Sequence, residues 1–492
     1  MDEEHLSFKT YVKKANSRGT GFFHIPDRFS DKFQVGDQVS IKIHSEETVK
    51  YSSKIRNWGG LGVYVPKKIA GKYNLNHSTC KIEINKLNGF HAKIGSDGRV
   101  YIPNRRGKKL NLDEEKIIEI EGRIKGKNET VFWPVNVREK ENTVEYRIIF
   151  DKRFAGEEGV FRIEEVYDVS SEKEKISKDL RKVLKPFDWI VPDDTVRVFD
   201  GSKVPVQMSS KLDLSDISYY LGAYFADGTK KGNSWGIAAS TFQQAKFYRK
   251  SHRFVFKNAD LDYQLSYTFN PASRNKNKSI VEKWKKETGI QIGSIRKLET
   301  ETRNAENRNK FGSLYIREHK LLVREIYVEM LSALLKKITE THDRRLAWNF
   351  LLGVLEGDGA PKSKKHCHIE IVTNVEEIDR LQRGFDVLRL DGEIYRKGDK
   401  GRSINIGSLE LICNLELIGD KLFHLYPKRR RKTIRRLLDT GAARFILGKQ
   451  ESTAGWVKNY LKEGGILNER FNLTDRGRKI RGKLGEMSEE LP

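Results

Sequence analysis

The chain has little cysteine, no long apolar run and too few acids to balance its bases, and each shortage narrows what it can be. Cys80, Cys367 and Cys413 are its three cysteines in 492 residues. They lie far apart without metal-ligand spacing. That argues against a disulfide framework or a zinc site and fits reduced thiols in a cytoplasmic protein. No stretch of about 18 or more apolar residues occurs, so no membrane-spanning helix is expected. The opening "MDEEHLSFKT" is acidic and lacks the apolar core of a secretory signal. The closing "EELP" lacks the His-Asn ending that a protein-splicing element would need.

What is present is a folded, strongly basic chain. Charged residues make up 33% and apolar ones 37%, with aromatics at 10%, which fits ordered domains rather than disorder. The length favours several domains. Lys and Arg number 93 against 68 Asp and Glu, an excess of 25 that points to a polyanionic partner.

The stretch "LAWNFLLGVLEGDGAP" (346–361) reads as a buried helix, yet it carries Gly353 and Gly357. Each glycine costs about 1 kcal/mol relative to alanine inside a helix. A second stretch, "SYYLGAYFADGTKKG" (218–232), repeats the pattern with Gly222 and Ala226. Positions four apart share a helix face, so each helix has one face stripped of side chains, and two such faces can pack backbone on backbone. Each helix also ends on an acid, Asp227 or Asp358, against the sense of the helix dipole. Packed side by side, the helices bring both acids to one end. Divalent metal with oxygen ligands relieves such a pair, and with a basic surface this suggests metal-assisted phosphodiester hydrolysis.

Both stretches resemble the signature of the LAGLIDADG homing endonucleases, and two copies in one chain resemble the single-chain, pseudosymmetric members of that family. The resemblance implies an α+β fold with a pseudosymmetric pair of αββαββα half-domains. Its helix interface would use Gly222, Ala226, Gly353 and Gly357. Its metal site would use Asp227 and Asp358 with the adjoining Gly228 and Gly359, binding Mg²⁺ or Mn²⁺. Lys230 and Lys362, three and four residues past the acids, are the candidate catalytic cations, placed to stabilise transition-state charge. Curved sheets would lie in the major groove of double-stranded DNA, and a monomer is expected. One departure is Phe225, where the second copy has Glu356.

Around each motif the patterning repeats. Strands are expected at 235–240, 263–269 and 311–318 in the first half, with helices at 241–259 and 321–338. The polar stretch 270–310 reads as a loop, either DNA-contacting or merely solvated. The second half gives a strand at 367–373, a helix at 374–390 capped by Asn374, a hairpin at 391–408 turning at "KGDKG", and a helix at 409–419.

The first 170 residues carry a different repeat. "SRGTGFFHIPDRFSDKFQVGDQVSIKI" (17–43), "GGLGVYVPKKIAGKYNLNHSTCKIEI" (59–84) and "SDGRVYIPNRRGKKLNLDEEKIIEIEG" (96–122) each run from a Gly-led strand through a proline to a short helix and a second strand. "YRIIFDKRFAGEEGVFRIEEV" (146–166) is a degenerate fourth copy with Asp151 in place of proline. These units resemble the swapped-hairpin AbrB-like DNA-binding element, two of which make one barrel. Arg18, Arg28, Arg99, Arg105 and Arg106 are the candidate phosphate contacts.

The expected organisation is therefore an AbrB-like barrel at 1–90, a second at 91–170, and a charged helix and linker at 171–210. Half-domains follow at 211–340 and 341–437. A basic tail at 438–492 ends in "RFNLTDRGRKI", which looks like part of a winged helix. The run "PKRRRKTIRR" (427–436) adds Lys428, Arg429, Arg430 and Arg431 as candidate DNA contacts. The first functional reading is a site-specific, Mg²⁺-dependent double-strand DNA endonuclease of the homing type. The alternative is a catalytically inactive regulator or an RNA maturase of the same fold, for which RNA would be a partner. A regulator has no need of both Asp227 and Asp358, so the acid pair favours the enzyme.

Overall fold

The computed structural model describes residues 5–14, 20–29, 31–33, 35, 38–44, 48–57, 59–73, 75, 77–87, 90–140, 143–150, 152–201, 203–268, 274–298, 312–362, 368–390, 393–397 and 401–491. The chain divides into two compact units, Met1–Val169 and Ser170–Pro492.

The first unit is almost all strand. β1 (His5–Lys14), β2 (Gly21–His24), β3 (Gln38–His44), β4 (Thr48–Asn57), β5 (Leu61–Val65) and β6 (Ser78–Leu87) close a barrel in the order β1-β2-β5-β4-β3-β6. Helix α1 (Lys67–Lys72) lies between β5 and β6. β7 (Phe90–Lys93), β8 (Arg99–Ile102), α2 (Asn104–Lys109), β9 (Lys116–Ile124), β10 (Lys127–Pro134), β11 (Asn136–Lys140), β12 (Thr143–Ile149) and β13 (Glu158–Asp168) follow. They form two sheets, β10-β9-β13-β7 and β11-β12-β8. Alternating apolar residues give each group its own core, one including Phe23, Ile41 and Ile84, the other Phe90, Ile120 and Phe161.

The proline repeat takes shape as strand, proline, one helical turn, strand. Pro66 and Pro103 immediately precede α1 and α2 with φ near −55°, and their carbonyls accept the first helical N–H groups. Pro26 starts a single 3₁₀ turn in the same way, and a 3₁₀ turn at Lys152–Phe154 occupies that place in the fourth copy. Asp151 itself lies outside the described residues.

The second unit opens with α3 (Lys178–Val183) and an antiparallel sheet of β14 (Asp188–Ile190), β15 (Thr195–Phe199) and β16 (Val206–Ser209). The region expected as a charged helix and linker thus also contains a sheet. Next come α4 (Ser218–Asp227), β17 (Trp235–Ala239), α5 (Phe242–Val255), β18 (Asp262–Thr268), α6 (Arg274–Thr288), β19 (Ser294–Leu298), β20 (Ser313–Glu318) and α7 (Leu321–Thr341). The corresponding run is α8 (Arg344–Asp358), β21 (Gly359–Lys362), β22 (His368–Asn374), α9 (Val375–Leu388), β23 (Ile394–Lys397), β24 (Gly401–Gly407) and α10 (Ser408–Cys413). The two sheets have the orders β17-β20-β18-β19 and β21-β22-β24-β23.

Local chemistry sets the helix starts. Thr241 and Gln244 form a capping box on α5; Asp343 accepts from the N–H groups of Arg345 and Leu346; Asn374 accepts from Glu377. The stretch read as a polar loop contains α6, held by Trp284, which is fully buried with its ring 4.7 Å from that of Phe242. It also contains β19, which pairs with β18 in parallel. The "KGDKG" turn and Cys367 lie partly or wholly outside the described residues.

The chain continues through α11 (Leu415–Ile418), α12 (Pro427–Leu438), α13 (Gly441–Ile446), α14 (Gly455–Glu463) and α15 (Asp475–Glu489), with an isolated bridge joining Leu467 and Leu473. One hydrophobic cluster runs from Ile176 to Met487, taking in both motif helices, both four-stranded sheets of this unit and these last helices. Among the described residues no helix is long and apolar enough to cross a membrane.

Candidate active site at the paired helix ends

Helices α4 and α8 meet backbone to backbone. A Cβ on Gly222 would stand 1.9 Å from the Phe350 carbonyl oxygen, and a Cβ on Gly353 would stand 1.9 Å from that of Tyr219. In the motif alignment Tyr219 corresponds to Phe350, so this is one contact made in both directions. Ala226 and Gly357 form the next rung, where a Cβ on Gly357 would lie 2.6 Å from the Ala226 Cβ and from Asp227 Oδ2. No side chain fits at Gly222 or Gly353, which accounts for glycine in the middle of two buried helices.

Asp227 and Asp358 are the last residues of their helices. Removal from water raises both carboxyls, Asp227 to about 6 and Asp358 to about 7. The Asp227 charge pushes Asp358 further up, while Arg429 and Lys230 pull both back down. Two acids that resist ionising together, beside fixed positive charge, form an oxygen-donor pair short of cation. Among the described residues no group of three or more His, Cys, Asp or Glu side chains gathers as a metal cage. Two carboxylates suit Mg²⁺, which is commonly held by one or two carboxylates together with substrate phosphates.

Gly228 and Gly359 follow the acids, and their N–H groups close the last helical turns on Tyr224 and Leu355. Gly228 then bridges Ile237, whereas Gly359 opens β21 opposite Ile371. The two lysines differ. The Lys230 ammonium donates to the Phe225 carbonyl and to Glu377 of α9, and lies 4.8 Å from the Phe225 ring centre. Lys362 is half-exposed and pairs with Glu370 at 3.5 Å.

The basic run forms α12, whose helical period splits its cations. Arg429 turns inward and donates to the carbonyls of Glu356 (3.0 Å) and Gly357 (2.8 Å), at the C-terminal end of α8 where a cation suits the helix dipole. Arg430 donates to the carbonyls of Asp420 and Leu422, both at 2.8 Å, and pairs with Glu490 at 2.6 Å. Arg436 donates to the Pro361 carbonyl at 2.7 Å. Lys428 and Arg431 remain exposed, as does Lys432. Partial burial and the charges of Arg436, Lys362 and Lys428 hold the Lys432 ammonium below its usual range, so these cations form one cluster next to β21.

In the first unit Arg99 pairs with Asp97 at 3.0 Å. Arg106 lies 5.6 Å from the Phe90 ring centre, and Arg28 lies 4.8 Å from that of Phe29. Arg18 and the Arg105 side chain lie outside the described part.

Several residues at the site carry no clear signal in the sequence. Glu356 is fully buried, and Oε1 accepts from the Tyr219 hydroxyl (2.6 Å) and the Leu425 N–H (3.0 Å). Burial raises its carboxyl to about 7. Its carbonyl also accepts from Gln244 Nε2 at 3.1 Å. Glu356 thus fastens the segment leading into α12, and with it Arg429, onto the acid-bearing end of α8. The one hint in the sequence was that Glu356 stands opposite Phe225.

No family model and no curated protein matches the chain. Among solved structures it is similar to the I-SmaMI LAGLIDADG homing endonuclease bound to cleaved DNA, at 12% identity over 57% of this chain and 98% of that one, with a TM-score of 0.22. The meganuclease I-SmaMI bound to uncleaveable DNA gives 10% identity over 57% and 99%, with the same TM-score. A likeness this slight adds no weight to the geometry above.

Proposed function

We propose that the chain is a site-specific, divalent-metal-dependent double-strand DNA endonuclease of the LAGLIDADG homing type, with one acid from each of two pseudosymmetric half-domains. The observation that carries this reading is the reciprocal glycine contact, which sets Asp227 and Asp358 at one end of a helix pair with raised proton affinity. A bound metal would supply activation of water and stabilisation of the leaving oxygen. Asp227 and Asp358 would hold it. Lys230 and Arg429 keep fixed positive charge beside them, and the cluster of Lys362, Lys428 and Lys432 offers charge for the phosphate backbone. The outward rows of the two four-stranded sheets of the second unit would lie in the major groove. In this reading the N-terminal units are AbrB-like and add affinity for DNA.

The test is cleavage, in Mg²⁺, of the DNA flanking the gene, joined as it would be without the element that carries it. A discrete double-strand cut, absent with Asp227→Asn and with Asp358→Asn, is the expected result. Tight, salt-sensitive binding without a cut by the unaltered protein would turn the assignment to a regulator or maturase.

A further inference from the structure

Away from the acid pair, the β21-β22-β24-β23 sheet and the C-terminal helices line an open cavity of about 320 Å³. Tyr395 of β23 and Asn405 of β24 line it from the sheet, and Trp456 and Tyr460 line it from α14. Glu393, Glu410, His368 and Ser408 complete its polar part, and none of its described lining residues is Lys or Arg. That is anomalous in a chain whose bases exceed its acids by 25.

The Trp456 face is open to a ligand. Trp456 is 64% exposed and Tyr395 is 42% exposed, although both could have been buried at favourable free energy. The carboxylates are placed rather than floating. The Tyr395 hydroxyl donates to Glu393 Oε2 at 2.6 Å, and Glu410, nearly buried, accepts the Gly407 N–H at 2.5 Å. The Asn405 Oδ1 is a buried acceptor with no hydrogen-bond partner. Aromatic faces carry negative charge toward an approaching cation, and carboxylates accept its N–H groups.

We propose that this cavity binds a single alkylammonium or guanidinium group, from a free polyamine or from a Lys or Arg side chain of a basic partner. A nucleobase could stack on Trp456, but its attached phosphate would be driven toward two carboxylates. The assignment is independent of the endonuclease reading, because none of these residues takes part in the acid pair.

The full-length protein would be titrated calorimetrically with spermidine, with an arginine residue capped at both ends, and with deoxycytidine and deoxyadenosine. Saturable binding of a cation is expected, weakened by about 10-fold or more in Trp456→Ala and in Glu393→Gln. Both residues are exposed, so melting temperatures should stay unchanged. Binding should persist in the Asp227→Asn, Asp358→Asn double variant, which separates this cavity from the acid pair. Tighter binding of spermidine than of the capped arginine assigns a polyamine, and the reverse assigns a partner's side chain. Binding of nucleosides without cations overturns the proposal, as does absence of saturable binding or undiminished binding in both cavity variants.

Discussion

The two motif helices present the same backbone to each other and different side chains beside it. At the sixth motif position α4 has Phe225, packed edge-on against Phe350 at 5.6 Å, while α8 has the buried Glu356. Phe225 fills space. Glu356 holds Tyr219, the Leu425 N–H and, through its carbonyl, Gln244 and Arg429. A chain carrying both copies can let one half keep the plain packing solution while the other fastens an added helix. The first half instead carries α6 and β19 as its own additions. The shared part is therefore the glycine contact and the terminal acids, and the differences lie in what each half recruits around them.

The sharpest way to break this pairing is a side chain at the crossing. Gly353→Val would drive its Cβ and methyls into the Tyr219 carbonyl, and Gly222→Val would do the same at Phe350. Each should cost more than about 3 kcal/mol, because the obstacle is backbone and cannot rotate away. Chemical denaturation would measure it. Equal losses at the two sites support a shared contact, and a loss at only one would mean that the second helix can shift.

The acids give the next largest effect, with opposite signs for activity and stability. In the proposed endonuclease Asp227→Asn and Asp358→Asn should each lower cleavage by at least about 100-fold. Without metal, each should also stabilise the fold by on the order of 1–3 kcal/mol, since the ionised carboxylate is disfavoured where it sits. The pH dependence follows. Both carboxyls ordinarily titrate near 3.8, but in the fold they titrate at about 6 and about 7. Between those limits the folded chain holds protons that the unfolded chain has released. The stability of the metal-free protein should therefore fall as pH rises through that window. The double variant should flatten that part of the profile. In the proposed metal site binding requires the ionised pair, so Mg²⁺ should there stabilise progressively more as pH rises across the same range.

Much of this was legible in the sequence because it rests on short-range regularities. Small residues four apart, followed by an acid and a glycine, specify a helix face and its end. Prolines at regular intervals specify where short turns start. What stayed hidden depends on distance or on helical phase. The stretch containing α6 reads as polar, since Ile280, Val281 and Trp284 are its sparse apolar anchors, and β19 finds its partner β18 across that helix. Gln244 reads as the N3 residue of a capping box, which it is, but its amide also reaches the Glu356 carbonyl in the other half. In "PKRRRK" every cation has equal standing until α12 is docked.

The unequal sixth position is tested by truncating each side. Glu356→Ala would strand the Tyr219 hydroxyl and the Leu425 N–H, costing about 2–3 kcal/mol, and would loosen Arg429. Glu356→Gln should recover most of that loss. Phe225→Leu should cost less than about 1.5 kcal/mol. Thermal melts of the three variants would compare the two halves directly. Equal losses for Glu356→Ala and Phe225→Leu would mean that the acid only fills space.

The smallest effects concern the cations that α12 brings to the second half, and here stability and DNA affinity should separate. Arg430 uses its guanidinium on two carbonyls and Glu490, so Arg430→Ala should cost about 1–3 kcal/mol of stability and change DNA binding little. Arg431 is exposed, so Arg431→Ala should leave stability within about 0.5 kcal/mol. If it faces phosphate, its loss should weaken DNA binding across sequences and reduce the slope of log affinity against log salt by about 1. Fluorescence anisotropy over a salt series, with melts alongside, reads both quantities. Equal effects of the two substitutions on the salt slope would mean that Arg430 leaves its carbonyls for DNA. The docked position of α12 would then belong to the free protein alone.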